Sequence, residues 1–161
     1  MFAHGPDGPN GVPCGFERWR VDPKTQKVTR TAIDESPQEF PRVDERRFGQ
    51  SYRHAWTVSQ SSETVSNFVA ENALYHHDLE KCEKRSYTFG PDLVGGEFVF
   101  IPRAPDAEEA DGWLMGLVID AKNDTTQLQV FKALDIEQGP IGAVHIPHRI
   151  PPGFHGNWIP D

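Results

Sequence analysis

The stretch GLVIDAKNDTTQLQVF, Gly116 to Phe131, runs an apolar β-branched segment into Asp120, turns through polar residues, and returns on a second segment. That is the pattern of an antiparallel hairpin. Two further stretches repeat it: RWRVDPKTQKVTR, Arg18 to Arg30, and LYHHDLEKCEKRSYTF, Leu74 to Phe89, with Asp22 and Asp78 in the place of Asp120. The three aspartates lie 56 and 42 residues apart, intervals that bracket the period of about 40 to 50 residues expected of four-stranded propeller blades.

Outward from these hairpins the chain keeps the same texture. Its 14 glycines and 14 prolines interrupt it too often for long helices. Between the breaks lie nine short runs rich in β-branched and aromatic residues: FERWRV, KVTRTAI, YRHAWTV, ALYHHDL, RSYTF, EFVFIP, WLMGLVI, LQVFKAL and AVHIPH. They predict an all-β fold of antiparallel hairpins, with residues 1–15 as an N-terminal loop and residues 16–161 as the blades. At about 45 residues per blade, 161 residues make between three and four blades. Propellers close with roughly four to eight, so a ring would need strands from elsewhere. A two-sheet sandwich is the self-sufficient alternative.

Charge and cysteine usage narrow the function. Sixteen basic against 24 acidic residues leave a formal net charge of −8, which gives no electrostatic footprint for nucleic acid. No stretch approaches the roughly 18 to 20 apolar residues of a membrane span, and MFAHGPDGPNG lacks the regions of a signal peptide, so the expected location is cytoplasmic. Cys14 and Cys82 stand far apart and suggest neither a disulfide framework nor a zinc site.

Chemistry-bearing residues are few. His155, in PPGFHGNW, has small neighbours that permit close approach and aromatic ones that exclude water. That surrounding suits a metal ligand as well as an ordinary surface or core histidine. His145 and His148 fall three apart in an extended segment, on opposite faces. His76 and His77 are adjacent in a predicted strand, so at most one is expected to face inward. Glu39, before Phe-Pro, and Glu97, at the start of an apolar strand, are candidates for buried carboxylates, which require a donor. The donor is either an arginine, Arg42 or Arg103, or the second nitrogen of a metal-bound histidine. The intervals Glu39 to Glu97 and Glu97 to His155 are both 58 residues, consistent with equivalent places on successive blades. The acidic stretch from Ala104 to Gly112 is expected to be a solvated loop, and RVDERR, Arg42 to Arg47, an internal salt-bridge network.

Taken together, EFPRVDERRFGQSYRHAW, GGEFVFIPR followed by EEADGWLMGLVID, and HIPHRIPPGFHGNW resemble the C-terminal portion of the carotenoid cleavage oxygenases, which include lignostilbene dioxygenases. The resemblance runs from about Phe16 to the end. It implies about three blades of a seven-bladed propeller that carries a non-haem ferrous iron (Fe2+) on its axis, held by four histidines and oriented by glutamates. On this resemblance His155 matches the last iron ligand, and Glu39 and Glu97 match two of the three orienting glutamates. The other three histidine motifs and the third glutamate have no counterpart in this chain. The resemblance implies the C-terminal part of a dioxygenase that cleaves a carbon–carbon double bond of a carotenoid, apocarotenoid or stilbene-type substrate. Its partners would be the missing N-terminal blades, an apolar conjugated substrate and dioxygen, and the complete enzyme would associate peripherally with membranes. This stretch alone would be inactive. The alternative is a catalytically inactive propeller remnant or interaction module.

Overall fold

The computed structural model describes residues 15–59, 73–153 and 155–159. The expected loop over residues 1–15 lies, except for Gly15, outside the described residues. Ten strands form three antiparallel sheets. Strands β1 (Phe16–Asp22) and β2 (Lys27–Asp34) make a two-stranded sheet. Strands β3 (Gln38–Val43), β4 (His54–Ser59), β5 (Ala73–Asp78) and β6 (Glu83–Thr88) make a four-stranded meander. Strands β7 (Leu93–Pro102), β8 (Gly112–Asp120), β9 (Thr125–Lys132) and β10 (Gly142–Ile146) make a second. The only helical pieces among the described residues are two 3-10 turns, Glu45–Arg47 and Ile136–Gln138. The all-β expectation holds.

The three hairpin turns share one chemistry. Asp22, Asp78 and Asp120 each end a strand and accept on Oδ1 the N–H groups two and three residues on, at 2.8 to 3.2 Å. Each turn closes on a residue at positive φ, Gln26 at 55°, Cys82 at 55° and Asp124 at 54°. The aspartate carboxylate satisfies donors that the strand ladder leaves free, which is why this residue recurs there. The turns do not mark equivalent places in the sheets, however. Asp78 joins the third strand of its sheet to the fourth, whereas Asp120 joins the second to the third. The interval of 42 residues is therefore not a blade period. The repeat is 58 residues: Arg42 pairs with Trp56 in the first meander, and Phe100 pairs with Leu114 in the second, each partner shifted by 58.

One strand escaped the sequence reading. β3 contains Pro41, which has no ladder donor and argues against a strand interior. The structure accommodates it at the edge of its sheet, in a bulge between Glu39 and Arg42 where Phe40 takes φ 55°.

The core fills the space between the two meanders. Trp56, Leu74, Phe89, Phe98, Phe100, Leu114, Val118, Phe131 and Ile136 form one apolar cluster. Trp56 stacks on Phe100 at 5.2 Å between centroids and donates its indole N–H to the Ala133 carbonyl at 2.9 Å. Both faces of the first meander are covered, so His76 and His77 are both buried, at 3% and 2% exposure. This corrects the expectation that only one would face inward: the sheet is a middle layer, and its alternation separates two interiors. His76 stacks on Trp56, and His77 lies 4.9 Å from the ring of Phe16. By contrast, the β1–β2 sheet leaves Trp19, Val21 and Val28 exposed.

The acidic stretch is the expected loop between strands, with Pro105, Asp106 and Glu108 exposed, but its backbone is anchored. Its carbonyls at Ala104, Pro105, Ala107 and Glu108 receive the guanidinium of Arg46 at 3.0 to 3.3 Å. Glu109 accepts the backbone N–H groups of Arg53 and His54 at the head of β4. A guanidinium has five donors, and wrapping a loop of carbonyls around it orders a segment that composition alone marks as polar. Arg46 also pairs with Asp44, and Arg42 with Glu45, so RVDERR does form the ion-pair network read from its alternating signs.

Candidate metal centre

β3 and β7 are the first strands of the two meanders and lie at their edges. Each carries one extra residue close to its glutamate, between Glu39 and Arg42 in β3 and between Gly95 and Phe98 in β7. A bulge re-aims side chains that a regular ladder would alternate between faces. Glu97 is thereby brought under the C-terminal residues 151–153 and 155–159, which among the described residues form no strand of their own.

There the carboxylate of Glu97 gathers three donors. Oε1 accepts from Arg42 Nε at 2.8 Å and lies 3.1 Å from His155 Nδ1, while Oε2 accepts the backbone N–H of Gly156 at 2.7 Å. The side chain is only 6% exposed. Burial raises the pKa of this carboxyl, but the hydrogen bonds from Arg42, Gly156 and His155 outweigh it and leave it below its usual value. An ionised carboxylate is acceptor-only, which assigns the proton of the His155–Glu97 contact to Nδ1 and leaves Nε2 as the bare nitrogen. The side chain of His155 is 75% exposed, with the edge of Phe40 against it at 6.0 Å between ring centroids.

The sequence left two partners open for the buried carboxylate, an arginine or a histidine ring. Glu97 has both, and the arginine is Arg42; Arg103 pairs with Asp111 instead. Glu39, 58 residues before Glu97, pairs with Val58 ahead of the β3 bulge, whereas Glu97 lies within the β7 bulge, and the side chain of Glu39 makes no hydrogen bond or ion pair among the described residues. Phe154 lies outside the described residues. Sequence reasoning missed the bond from Arg42 Nη2 to the Gly156 carbonyl. Residues 114 apart that meet through a backbone carbonyl leave no side-chain signal to find.

A second histidine pair lies elsewhere. His54 Nδ1 and His76 Nε2 are 3.0 Å apart across β4 and β5, beside a cleft lined by Arg53, Asp78, Glu83 and Arg85. Among the described residues no group of three or more His, Cys, Asp or Glu side chains is placed to hold a metal ion. Within this chain, then, His155 fits a metal only as one member of a shared set. Its donor chemistry does fit, since one nitrogen is fixed on a carboxylate and the other is free.

The family model for the retinal pigment epithelial membrane protein matches residues 3–160. The chain belongs to that family. Its carotenoid cleavage oxygenase relative from Mycobacterium tuberculosis is 35% identical over 99% of this chain and 32% of its own length. Lignostilbene-alpha,beta-dioxygenase isozyme III of Sphingomonas paucimobilis is 33% identical over 89% of this chain and 31% of its own. Among solved structures, Pseudomonas brassicacearum lignostilbene dioxygenase superposes with a TM-score of 0.79 at 29% identity, covering 90% of this chain and 32% of that one. A cobalt-substituted Synechocystis apocarotenoid oxygenase superposes with a TM-score of 0.77 at 28% identity, covering 89% of this chain and 29% of that one. The chain thus spans about a third of the length of the oxygenases it matches, and it shares the sheets of their fold without closing a ring. Among the described residues no helix is long and apolar enough to cross a membrane.

Proposed function

We propose that residues 16–161 are the C-terminal blades of a non-haem iron(II) dioxygenase that cleaves a carbon–carbon double bond in a carotenoid, apocarotenoid or stilbene-type substrate. The observation that carries this reading is the His155–Glu97 pair: a buried carboxylate accepts a hydrogen bond from Nδ1–H and leaves the remaining nitrogen free, as metal-ligating histidines require. The names of the relatives supply the reaction class. Within the complete enzyme, His155 contributes one imidazole ligand and Glu97 orients it and raises its basicity. Glu39 has the equivalent duty toward a histidine outside this chain. The exposure of the His155 ring fits a ligand whose companions come from the N-terminal blades. A ferrous ion held there supplies open coordination positions for dioxygen. The same proposal places the enzyme in the cytoplasm, meeting an apolar conjugated substrate at a membrane surface.

The test is made on the full-length protein. Anaerobic reconstitution with Fe2+ should load one iron per protein, and the loaded protein should cleave a stilbene or an apocarotenoid to aldehydes under air. His155→Ala should lose the iron. The reading is overturned by a wild-type protein that takes up no iron, or by a His155→Ala protein that keeps a full equivalent.

A further inference from the structure

The tail that carries His155 has little to hold it. Residues 151–153 and 155–159 are exposed and unpaired by any ladder. The ring itself is three-quarters exposed, so packing does not fix its direction. Apart from the ring of Phe40, what reaches the tail from the folded body is polar. Glu97 grips it twice, at the His155 ring and at the Gly156 N–H. Arg42, from the neighbouring sheet, grips both Glu97 through Nε and the Gly156 carbonyl through Nη2, and its Nη1 bonds Glu45. Its side chain is 17% exposed, far less than the ring it serves.

We infer that Arg42 is the positioning residue of the His155 segment, locking Glu97 and the backbone after the histidine into one arrangement so that Nε2 points in a fixed direction. This inference rests on the metal-centre reading for its purpose and on the hydrogen bonds alone for its geometry. Three physical facts support it. Glu97 is buried, and a buried carboxylate without its cation would draw in water or shift to a new partner. The planar guanidinium holds its three acceptors at set angles, which a lysine ammonium on a flexible stem does not. The acceptors belong to three separate segments, β7, the 3-10 turn and the tail, so one side chain ties together parts that share no ladder.

The experiment uses the full-length protein, metal-free and labelled with 15N-histidine. Wild type should show His155 as a single Nδ1–H tautomer by its ring nitrogen shifts. In Arg42→Lys the charge stays and the fork goes, and His155 should become a mixture of tautomers. Glu45→Ala removes the third contact only and should leave the tautomer as in wild type. Affinity for Co2+, followed by visible absorption, should fall roughly 10-fold in Arg42→Lys, the lower end of the range for partners that orient a metal ligand. An Arg42→Lys protein that keeps the single tautomer overturns the inference. So does a wild-type Arg42 Nε–H that exchanges with solvent as fast as a free guanidinium, a measurement that needs no variant to fold. Because the tautomer is read without metal, failure of the clamp is separable from failure of the iron reading, which would show as absent Co2+ binding in wild type.

Discussion

Acidification from pH 7.5 to 5.0 is expected to destabilise this fold through His76 and His77 before any carboxylate titrates. Burial holds both imidazoles down to about 4 from an ordinary 6.5, with the His54 and Arg85 charges adding to the effect at His76 and the Lys84 charge at His77, where Asp34 opposes it. A group that binds its proton more weakly when folded contributes stability above its unfolded pKa, and that stability is lost as pH falls through 6.5 toward 4. At pH 5.0 each histidine costs about 2 kcal/mol relative to neutral pH, hence about 4 kcal/mol for the pair. Against a typical stability of about 5 to 15 kcal/mol this is a large fraction. The carboxylates that fold with lowered pKa, Glu17, Asp22, Asp34, Asp78, Glu97 and Asp120, start from 3.8 to 4.5, so their losses fall below the window. The structure explains the weak proton binding at His76, whose Nδ1 is buried without a partner among the described residues, so a second proton there would find no acceptor. Urea unfolding should show a midpoint lower by about 2 M at pH 5.0 than at pH 7.5, for a slope near 2 kcal/mol per molar. His77→Gln should remove about half of that difference. Equal midpoints at the two pH values, or an undiminished pH dependence in His77→Gln, would refute the reasoning.

Two further outcomes follow from packing. Gly112→Ala would place a Cβ 2.1 Å from the Ile101 carbonyl oxygen across the β7–β8 pair; the strands must separate, and a loss of about 1 to 3 kcal/mol in the urea midpoint analysis is expected. Arg46→Met removes the guanidinium that lies over Phe100, leaves Asp44, which is 1% exposed, without its cation, and takes one donor from each of four carbonyls. It should lower stability by about 3 to 5 kcal/mol and speed amide exchange across residues 104–111.

The strands were legible wherever β-branched and aromatic residues ran between turn signals, and the three aspartate turns were legible as turns. What failed was each inference that needed to know what lies on the other side. β3 was hidden by Pro41, because only the edge position and the bulge at Phe40 make a proline tolerable there. The pair His76 and His77 was read as one in and one out because alternation does not reveal that both faces are covered. The loop from Ala104 gave no sign of being anchored because its partner, Arg46, meets its backbone and not its acidic side chains. At the site, Glu97 and His155 were found through the 58-residue interval and the family resemblance. The grip of Arg42 on the Gly156 carbonyl was not legible from either.

The 58-residue repeat also shows why the site is faint in sequence. The same place in the two first strands is Arg42 in one sheet and Phe100 in the next, each paired across to Trp56 or Leu114. In the second sheet that place serves the core, since Phe100 stacks on Trp56. In the first it serves an ion pair and a backbone carbonyl, and the residue turns from aromatic to cationic. A glutamate near the bulge, by contrast, is kept in both sheets, as Glu39 just before the β3 bulge and Glu97 within the β7 bulge. A structural position diverges because each sheet has a different neighbour to satisfy, whereas a carboxylate place stays the same if each sheet must present the same acceptor toward a common axis.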